Sequence, residues 1–276
     1  MKKLLFLISV VLLIFLGYLF ALPRQTSREL EIKSPEPEKE ILRVALVADS
    51  HNENDLLAKA LAEAKNRNAD FVIGLGDYTN LGAVDELIAA KKVFDESGLE
   101  YYLVPGDRDG WESRQRGLGN VANFLQVFNL VSATKIEKRS GIQFVLLNNS
   151  DIYKGISSED WESLEKTTNV AKESRLTFVF AHKTPFHPDS SHVMGEDSPE
   201  VAGKAQDLLR LLEEKKVNGF FSGDLHFFAQ FNSPGQSVKI TTIGAVASER
   251  NFQGPRFSVL KVFDDYSWEV EDVEIK

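Results

Sequence analysis

Cysteine is absent from the 276 residues. That excludes disulfides, thiolate metal sites and thiol catalysis, and it makes an oxidising compartment harmless. Positive charge is in deficit: 32 Lys and Arg stand against 41 Asp and Glu, for a net charge of -9. Residues 1–40 hold six basic and five acidic side chains, so the remainder carries -10. A body that acidic is a poor general nucleic-acid binder, and bound divalent cations would offset part of its charge. Internal repeats and a second linker are also lacking, so one domain is expected from about 41 to 276. Histidine is scarce. There are five, His51, His182, His187, His192 and His226.

One long apolar run is present, "LLFLISVVLLIFLGYLFAL", nineteen residues from Leu4 to Leu22 without a charge. As a helix it would span roughly 28 Å, about one bilayer core. The run exceeds a usual signal-peptide core, and Leu19-Phe20-Ala21 is a poor small-x-small cleavage site. An uncleaved transmembrane anchor over 1–22 is therefore expected in preference to a cleaved signal. Lys2 and Lys3 precede the run, and Arg24, Arg28 and Lys33 soon follow it, so the positive-inside bias is weak. The very short basic tail favours an exported, extracytoplasmic domain anchored in the membrane. Residues 23–40, with Pro35 and Pro37 in a charged run, read as an extended stalk.

Beyond the stalk, short apolar runs alternate with amphipathic ones. "ILRVALVA" (41–48), "FVIGLG" (71–76), "YYLV" (101–104), "LTFVFA" (176–181) and "GFFSG" (219–223) read as buried strands. Residues 54–67, 83–97 and 199–216 carry helical spacing, with Asn54 a candidate cap and Gly98 a stop. "KIEKRSGIQFVLLN" reads as a hairpin turning at Ser140-Gly141, and the tail after Phe227 holds only strand-like runs. The pattern indicates an α/β fold of two β-sheets packed face to face as a sandwich, with helices outside.

Each of the five buried strands is followed by side chains able to bind metal. These are Asp49 and His51, Asp77, Asp107 with Asp109, His182, and Asp224 with His226. Taken singly, each is an ordinary turn or loop residue. Ligands in open α/β sheets bind beyond the carboxyl ends of strands, so five such ends can converge on one site. Three of the five histidines stand at these ends, and the other two follow His182 closely.

In this order, Asp-x-His, Gly-Asp, Gly-Asp-Arg-Asp, His and Gly-Asp-x-His, the chain resembles the calcineurin-like metallophosphoesterases over residues 44 to 226. The resemblance implies a binuclear, metal-dependent phosphoesterase, a hydrolase cleaving phosphomonoester, phosphodiester or phosphoanhydride bonds by attack of a metal-bridging hydroxide. Two divalent ions are implied. By position, Asp49, His51 and His226 would hold the first, Asp77 would bridge, and Asp107, His182 and Asp224 would complete the second.

Three residues depart from the family pattern. Asp107 stands where the family has Asn, Arg108 where it has His, and Asp224 where it has His. The second ion would then meet three carboxylates and one imidazole, a hard shell that favours Mn²⁺ over Zn²⁺, with Fe²⁺ or Mg²⁺ also suited. Arg108 and Asp109 are the candidate catalytic residues. Arg108 cannot protonate a leaving group, but it can grip phosphate with its planar fork, so phosphoanhydrides or activated diesters are the expected substrates. Asp109 either orients Arg108 through a salt bridge or bonds its own turn. Arg108, His187 and His192 are the candidate substrate contacts, the last two on a polar loop at 182–197. Membrane anchoring points to a phosphorylated small-molecule or lipid-linked substrate. The competing function is a catalytically degenerate phosphoesterase that binds a phosphorylated ligand without turnover. The retained Asp49, His51, Asp77, His182 and His226 favour the enzyme.

Overall fold

The strand β1 (Glu40–Val47) shows how this sequence builds its layers. Leu42, Val44 and Leu46 point into one apolar core, while Ala45 and Val47 point into another. Alternate side chains of a strand face opposite sides, so a strand buried on both faces reads as a continuous apolar run. The same division holds in β2 (Phe71–Leu75), where Phe71, Ile73 and Leu75 face inward and Val72 outward. The computed structural model describes residues 39–169, 174–196 and 198–276. The expected anchor at 1–22 and nearly all of the stalk lie outside the described residues. Among the described residues no helix is long and apolar enough to cross a membrane.

Two mixed sheets result. The first has the order β11-β10-β1-β2-β3, with β3 (Tyr101–Val104), β10 (Arg256–Phe263) and β11 (Trp268–Glu274). The second has the order β4-β5-β6-β7-β9-β8. Its members are β4 (Lys135–Arg139), β5 (Ile142–Leu146), β6 (Leu176–Phe180), β7 (Gly219–Ser222), β8 (Ala229–Asn232) and β9 (Lys239–Thr242). β4 and β5 form the hairpin expected at Ser140-Gly141, both of which have positive φ, as a tight hairpin turn demands.

The inner faces pack Phe71, Phe144, Phe178, Phe180 and Phe221 together, with the Phe180 and Phe221 rings stacked 4.9 Å apart. Trp268 of β11 meets Phe178 edge-on at 5.2 Å, tying one sheet to the other. Each such buried ring contributes about 1.5–3 kcal/mol. Helices α1 (Asn54–Asn66), α2 (Val84–Ser97) and α4 (Ala122–Phe128) cover the outside of the first sheet through Leu57, Leu61, Leu87, Phe94 and Phe124. Helices α5 (Ser158–Asn169) and α6 (Pro199–Glu214) cover the second through Leu164, Val201, Leu208 and Leu212. A short α3 (Trp111–Gln115) follows the loop after β3.

Asn54 is the first residue of α1 and does not cap it. The cap position is Glu53, whose carboxylate instead accepts from the backbone N–H and hydroxyl of Ser248. Helices α3, α4 and α5 had no clear periodic signal: two are very short, and α5 ("SEDWESLEKTTN") is mostly polar.

Register sets the site. β1, β2 and β3 run parallel, with Val47 opposite Gly74 and Leu75 opposite Val104, so all three end level. In the second sheet Phe180 pairs with Phe221. The turns after all five strands therefore meet at one end of the sandwich.

Candidate metal centre

The turns that carry the polar residues are conformationally costly. Asp49, His51, Asp77, Asp224 and His226 all have φ between 43° and 67°. The left-handed region costs most L-residues about 1–2 kcal/mol, less for Asp. Glycine would relieve that strain, but it would remove the side chains. The conformations are pinned by continuing the sheet's hydrogen bonds: Asp49 N–H donates to the Gly76 carbonyl (2.9 Å) and His51 N–H to that of Asp77 (3.0 Å). Tyr78, buried in the helix layer against Phe94, accepts from Gly76 N–H and donates to the Val104 carbonyl at 2.9 Å. Gly106 is needed for close approach, since a Cβ there would lie 2.0 Å from Asp77 Oδ1.

Two side-chain clusters result. In the first, His51 Nε2 and His226 Nε2 lie 3.1 Å apart, His226 Nε2 is 3.8 Å from Asp49 Oδ1, and His51 Nε2 is 3.9 Å from Asp77 Oδ2. Burial and the neighbouring His226 push the His51 imidazole down to about 4, so it is neutral at physiological pH and its lone pair is available. Burial raises the Asp49 and Asp77 carboxyls.

In the second cluster, His182 Nε2 is 3.3 Å from Asp107 Oδ1, 3.5 Å from Asp77 Oδ1 and 3.6 Å from Asp224 Oδ1. Its Nδ1 lies 2.8 Å from the Leu75 carbonyl. A carbonyl can only accept, so Nδ1 carries the proton and Nε2 faces the carboxylates, the arrangement common to metal-bound histidines. Burial opposes charge on His182, but the surrounding carboxylates outweigh it and raise its pKa well above the usual value. Asp77 thus reaches both clusters. All seven residues expected as ligands are brought together, in overlapping sets whose donor atoms lie within 4.8 Å of one another.

The other expected site residues divide. Arg108 lines the cavity beside the clusters, its backbone N–H donating to Asp77 Oδ1 at 2.8 Å. His192 also lines it, with Nε2 3.5 Å from Asp224 Oδ1 and Nδ1 2.5 Å from Glu196. The hydrogen bond to Asp224 raises the His192 pKa to about 9. Asp109 corrects its assignment as a catalytic residue. It is fully buried, off the cavity wall, and accepts from Thr79 N–H, Thr79 Oγ1 (2.8 Å) and Gly106 N–H (2.9 Å), which makes it a brace between two turns. His187 corrects its assignment as a substrate contact. Its ring packs on Phe227 and Phe231, its Nδ1 accepts from the backbone of Asp189 and Ser190, and it is not part of the cavity lining.

The sequence matches the family model for calcineurin-like phosphoesterases over residues 42–228, well over half the chain. The chain belongs to the calcineurin-like phosphoesterase family. It is a metal-dependent phosphoesterase, a hydrolase. Among curated proteins no match was found. Among solved structures, a dimetal phosphatase from Danio rerio is 14% identical with a TM-score of 0.66, covering 86% of this chain and 99% of its own. A purple acid phosphatase from yellow lupin (Lupinus luteus) seeds is 15% identical with a TM-score of 0.61, covering 87% of this chain and 53% of its own. GAP50, the anchor in the inner membrane complex of Plasmodium, is 16% identical with a TM-score of 0.62, covering 85% of each chain. At such identities the likeness speaks to the fold alone.

Within this phosphoesterase, several functional candidates escape a strand-end reading. The cavity, about 530 Å³, is also lined by Asn80, Leu81, Lys183, Glu249 and Arg250. Arg114 donates to the Asp107 carbonyl and to Asn120, steadying the loop after β3. Lys183 is buried, and its Nζ lies 2.8 Å from Asp224 Oδ1 and 3.7 Å from Asp107 Oδ1. Burial would raise both carboxyls, but Lys183 and His182 bring Asp107 down to about 2 and hold Asp224 well below the usual carboxylate range. The first cluster suits a divalent ion well, since it offers two imidazole nitrogens and two carboxylates with no lysine or arginine among their ion pairs in the described residues. The second suits one less well, because the Asp224 oxygen nearest His182 is already held by an ammonium.

Proposed function

We propose that the chain hydrolyses phosphoanhydride bonds or activated phosphodiesters in the strand-end cavity, and that it does so as a membrane-anchored, extracytoplasmic enzyme. The observation that carries the substrate class is Arg108. Arg108 lines the cavity and makes no ion pair among the described residues, so its fork is available to non-bridging phosphate oxygens. Arg250 adds a second guanidinium to the wall. Arg108, Lys183 and Arg250 all line the cavity, Lys183 paired with Asp224 and Arg250 with Glu249, which suits a substrate with more than one phosphate group.

Asp49, His51, Asp77 and His226 would hold a divalent ion, which supplies Lewis acidity and makes a water-derived nucleophile available near neutral pH. The chain's own residues then do three things. Arg108 binds and orients the phosphate. Lys183 places positive charge where negative charge develops in the transition state. Asp109 and Arg114 hold the loop that carries Asp107 and Arg108. Arg108 cannot protonate an alkoxide, so an alkoxide leaving group would depend on His192, the cavity imidazole whose pKa is raised to about 9, whereas a leaving phosphate needs no such proton. The first cluster's two imidazoles and two carboxylates accept Mn²⁺, Fe²⁺ or Zn²⁺; the manganese preference expected from the sequence belongs to the second cluster, with Asp107, Asp224 and His182. The membrane assignment rests on the apolar run from Leu4 to Leu22.

The test is an assay of the full chain in detergent with Mn²⁺, offering a nucleoside diphosphate, bis-nitrophenyl phosphate and glycerol phosphate. The diphosphate and the activated diester should turn over well ahead of glycerol phosphate. Rapid hydrolysis of glycerol phosphate, with the anhydride untouched, would sink the proposal. Binding of the diphosphate without release of phosphate would instead support a binding protein.

A further inference from the structure

Lys183 is a cation built into the place where the family pattern implies a metal ion. It follows His182 directly at the end of β6, and a single buried side chain, Asn149, fixes its backbone. Asn149 Oδ1 accepts from the N–H groups of both His182 (3.1 Å) and Lys183 (3.0 Å), and its Nδ2 donates to the Lys183 carbonyl at 2.7 Å. The Lys183 side chain is only 11% exposed, and its ammonium is within hydrogen-bond distance of Asp224 Oδ1 and near Asp107 Oδ1. These are the same two oxygens that approach His182 Nε2.

Those two carboxylates are also two of the three places where this chain departs from its family. The family pattern puts neutral side chains, Asn and His, at positions 107 and 224. Here both are anions, and both face the lysine. One substitution pattern therefore accounts for the other: the added negative charge is what allows an ammonium to be buried here. An ion bound through Asp224 Oδ1 would sit about 2.0–2.2 Å from that oxygen, while the ammonium already lies 2.8 Å from it. Two cations cannot share one oxygen at those distances without strong repulsion in a buried site. The first cluster has no lysine or arginine competitor among the described residues: His51, His226, Asp49 and Asp77 make their ion pairs among themselves and with His182, whose imidazole can give up its proton to a metal.

We propose that Lys183 takes the place of the second metal ion, so that the enzyme binds one divalent ion, at Asp49, His51, Asp77 and His226, and uses the Lys183 ammonium as the other positive charge facing the substrate phosphate. This rests on the phosphohydrolase reading above and deepens it. The lysine lines the cavity, so its remaining N–H donors can reach a phosphate oxygen while Asp224 and Asp107 keep it in position. The second oxygen of Asp224, Oδ2, is buried without a hydrogen-bond partner. Lys183 occupies the other oxygen, Oδ1, the one that faces His182 and Asp107, so replacing the lysine frees both Asp224 oxygens for an ion.

The test is metal stoichiometry rather than turnover. The full-length chain in detergent is equilibrated with Mn²⁺ alone, bound manganese per chain is measured by mass spectrometry of the metal, and the same samples are examined by electron paramagnetic resonance. The expected wild-type result is one ion per chain with the six-line spectrum of isolated Mn²⁺. Lys183→Met should double the stoichiometry and give the broadened signal of a spin-coupled pair, whereas Lys183→Arg should stay at one. Two coupled ions in the wild type would overturn the inference, whether or not the variants fold. A folded Lys183→Met that still binds one ion would overturn it as well. The outcomes separate the two claims. Two ions with hydrolysis intact defeats the lysine assignment alone, and no bound ion with no hydrolysis defeats the phosphohydrolase reading with it.

Discussion

The two halves of the metal centre sit on equivalent scaffolding yet balance their charges differently. In the first, around His51 and His226, paired imidazoles 3.1 Å apart face the carboxylates of Asp49 and Asp77 with no fixed cation present. In the second, around His182, the carboxylates of Asp107 and Asp224 face an ammonium. Both are mounted on turns at the ends of parallel strands, and left-handed residues carry part of each. A buried anionic pocket must be compensated; the second half holds a tethered ammonium to that end, and the first offers a donor set that an exchangeable ion would fill.

Asp77 is the residue common to both halves, so its removal should have the largest effect. Asp77→Asn is expected to lower hydrolysis on the order of a thousandfold and to abolish high-affinity Mn²⁺ binding, as measured by calorimetric titration. His51→Ala, which touches only the first half, should abolish Mn²⁺ binding equally. If it left one tight ion in place, the assignment of the ion to that half would be wrong.

Asn149→Ala tests the second half through its support. It removes three hydrogen bonds to the backbone at 182 and 183. The expected loss is roughly 10–100-fold in kcat and ~1–3 kcal/mol in stability, with one Mn²⁺ still bound. Activity within twofold of wild type would mean that the position of Lys183 is immaterial.

Arg108→Lys keeps the charge but loses the planar fork. KM for a nucleoside diphosphate should rise about tenfold with a smaller change in kcat, in steady-state assays at fixed Mn²⁺. Tyr78→Phe is the mildest case. It deletes a buried hydroxyl shared between Gly76 N–H and the Val104 carbonyl, below both halves. Denaturant unfolding should show a loss of ~1–2 kcal/mol, and metal stoichiometry should not move.

Much of this centre was legible in the sequence because it follows a rule of topology. Parallel strands buried on both faces announce themselves as apolar runs, their register makes them end together, and whatever follows each run falls at one edge. Asp49, Asp77, Asp107, His182 and Asp224 were found in that way, and the positive-φ turns changed nothing in that argument. Lys183 was not found, for a physical reason. Strand alternation places the neighbour of His182 on the opposite face, but the chain leaves strand geometry at Phe180, and Asn149 holds both residues so that both side chains reach the same carboxylates. Asn149 itself follows β5, a strand whose end, "NNS", carries no obvious metal ligand. Asp109 was misread because it adjoins Arg108 in sequence. In the fold its carboxylate turns inward to Thr79 and Gly106, a contact across turns that no local pattern encodes. His187 likewise follows His182 closely, yet it is drawn to the Phe227 and Phe231 rings by its apolar surroundings.

The central claim, hydrolysis of phosphate linkages by an ion held at Asp49, His51, Asp77 and His226, is tested most directly by phosphate release from a nucleoside diphosphate as Mn²⁺ is titrated into the metal-stripped full chain. The account predicts that activity rises from the baseline in step with ion binding and that Asp77→Asn shows no rise at any Mn²⁺ concentration. Phosphate release that is indifferent to Mn²⁺, or that survives in Asp77→Asn, would contradict it.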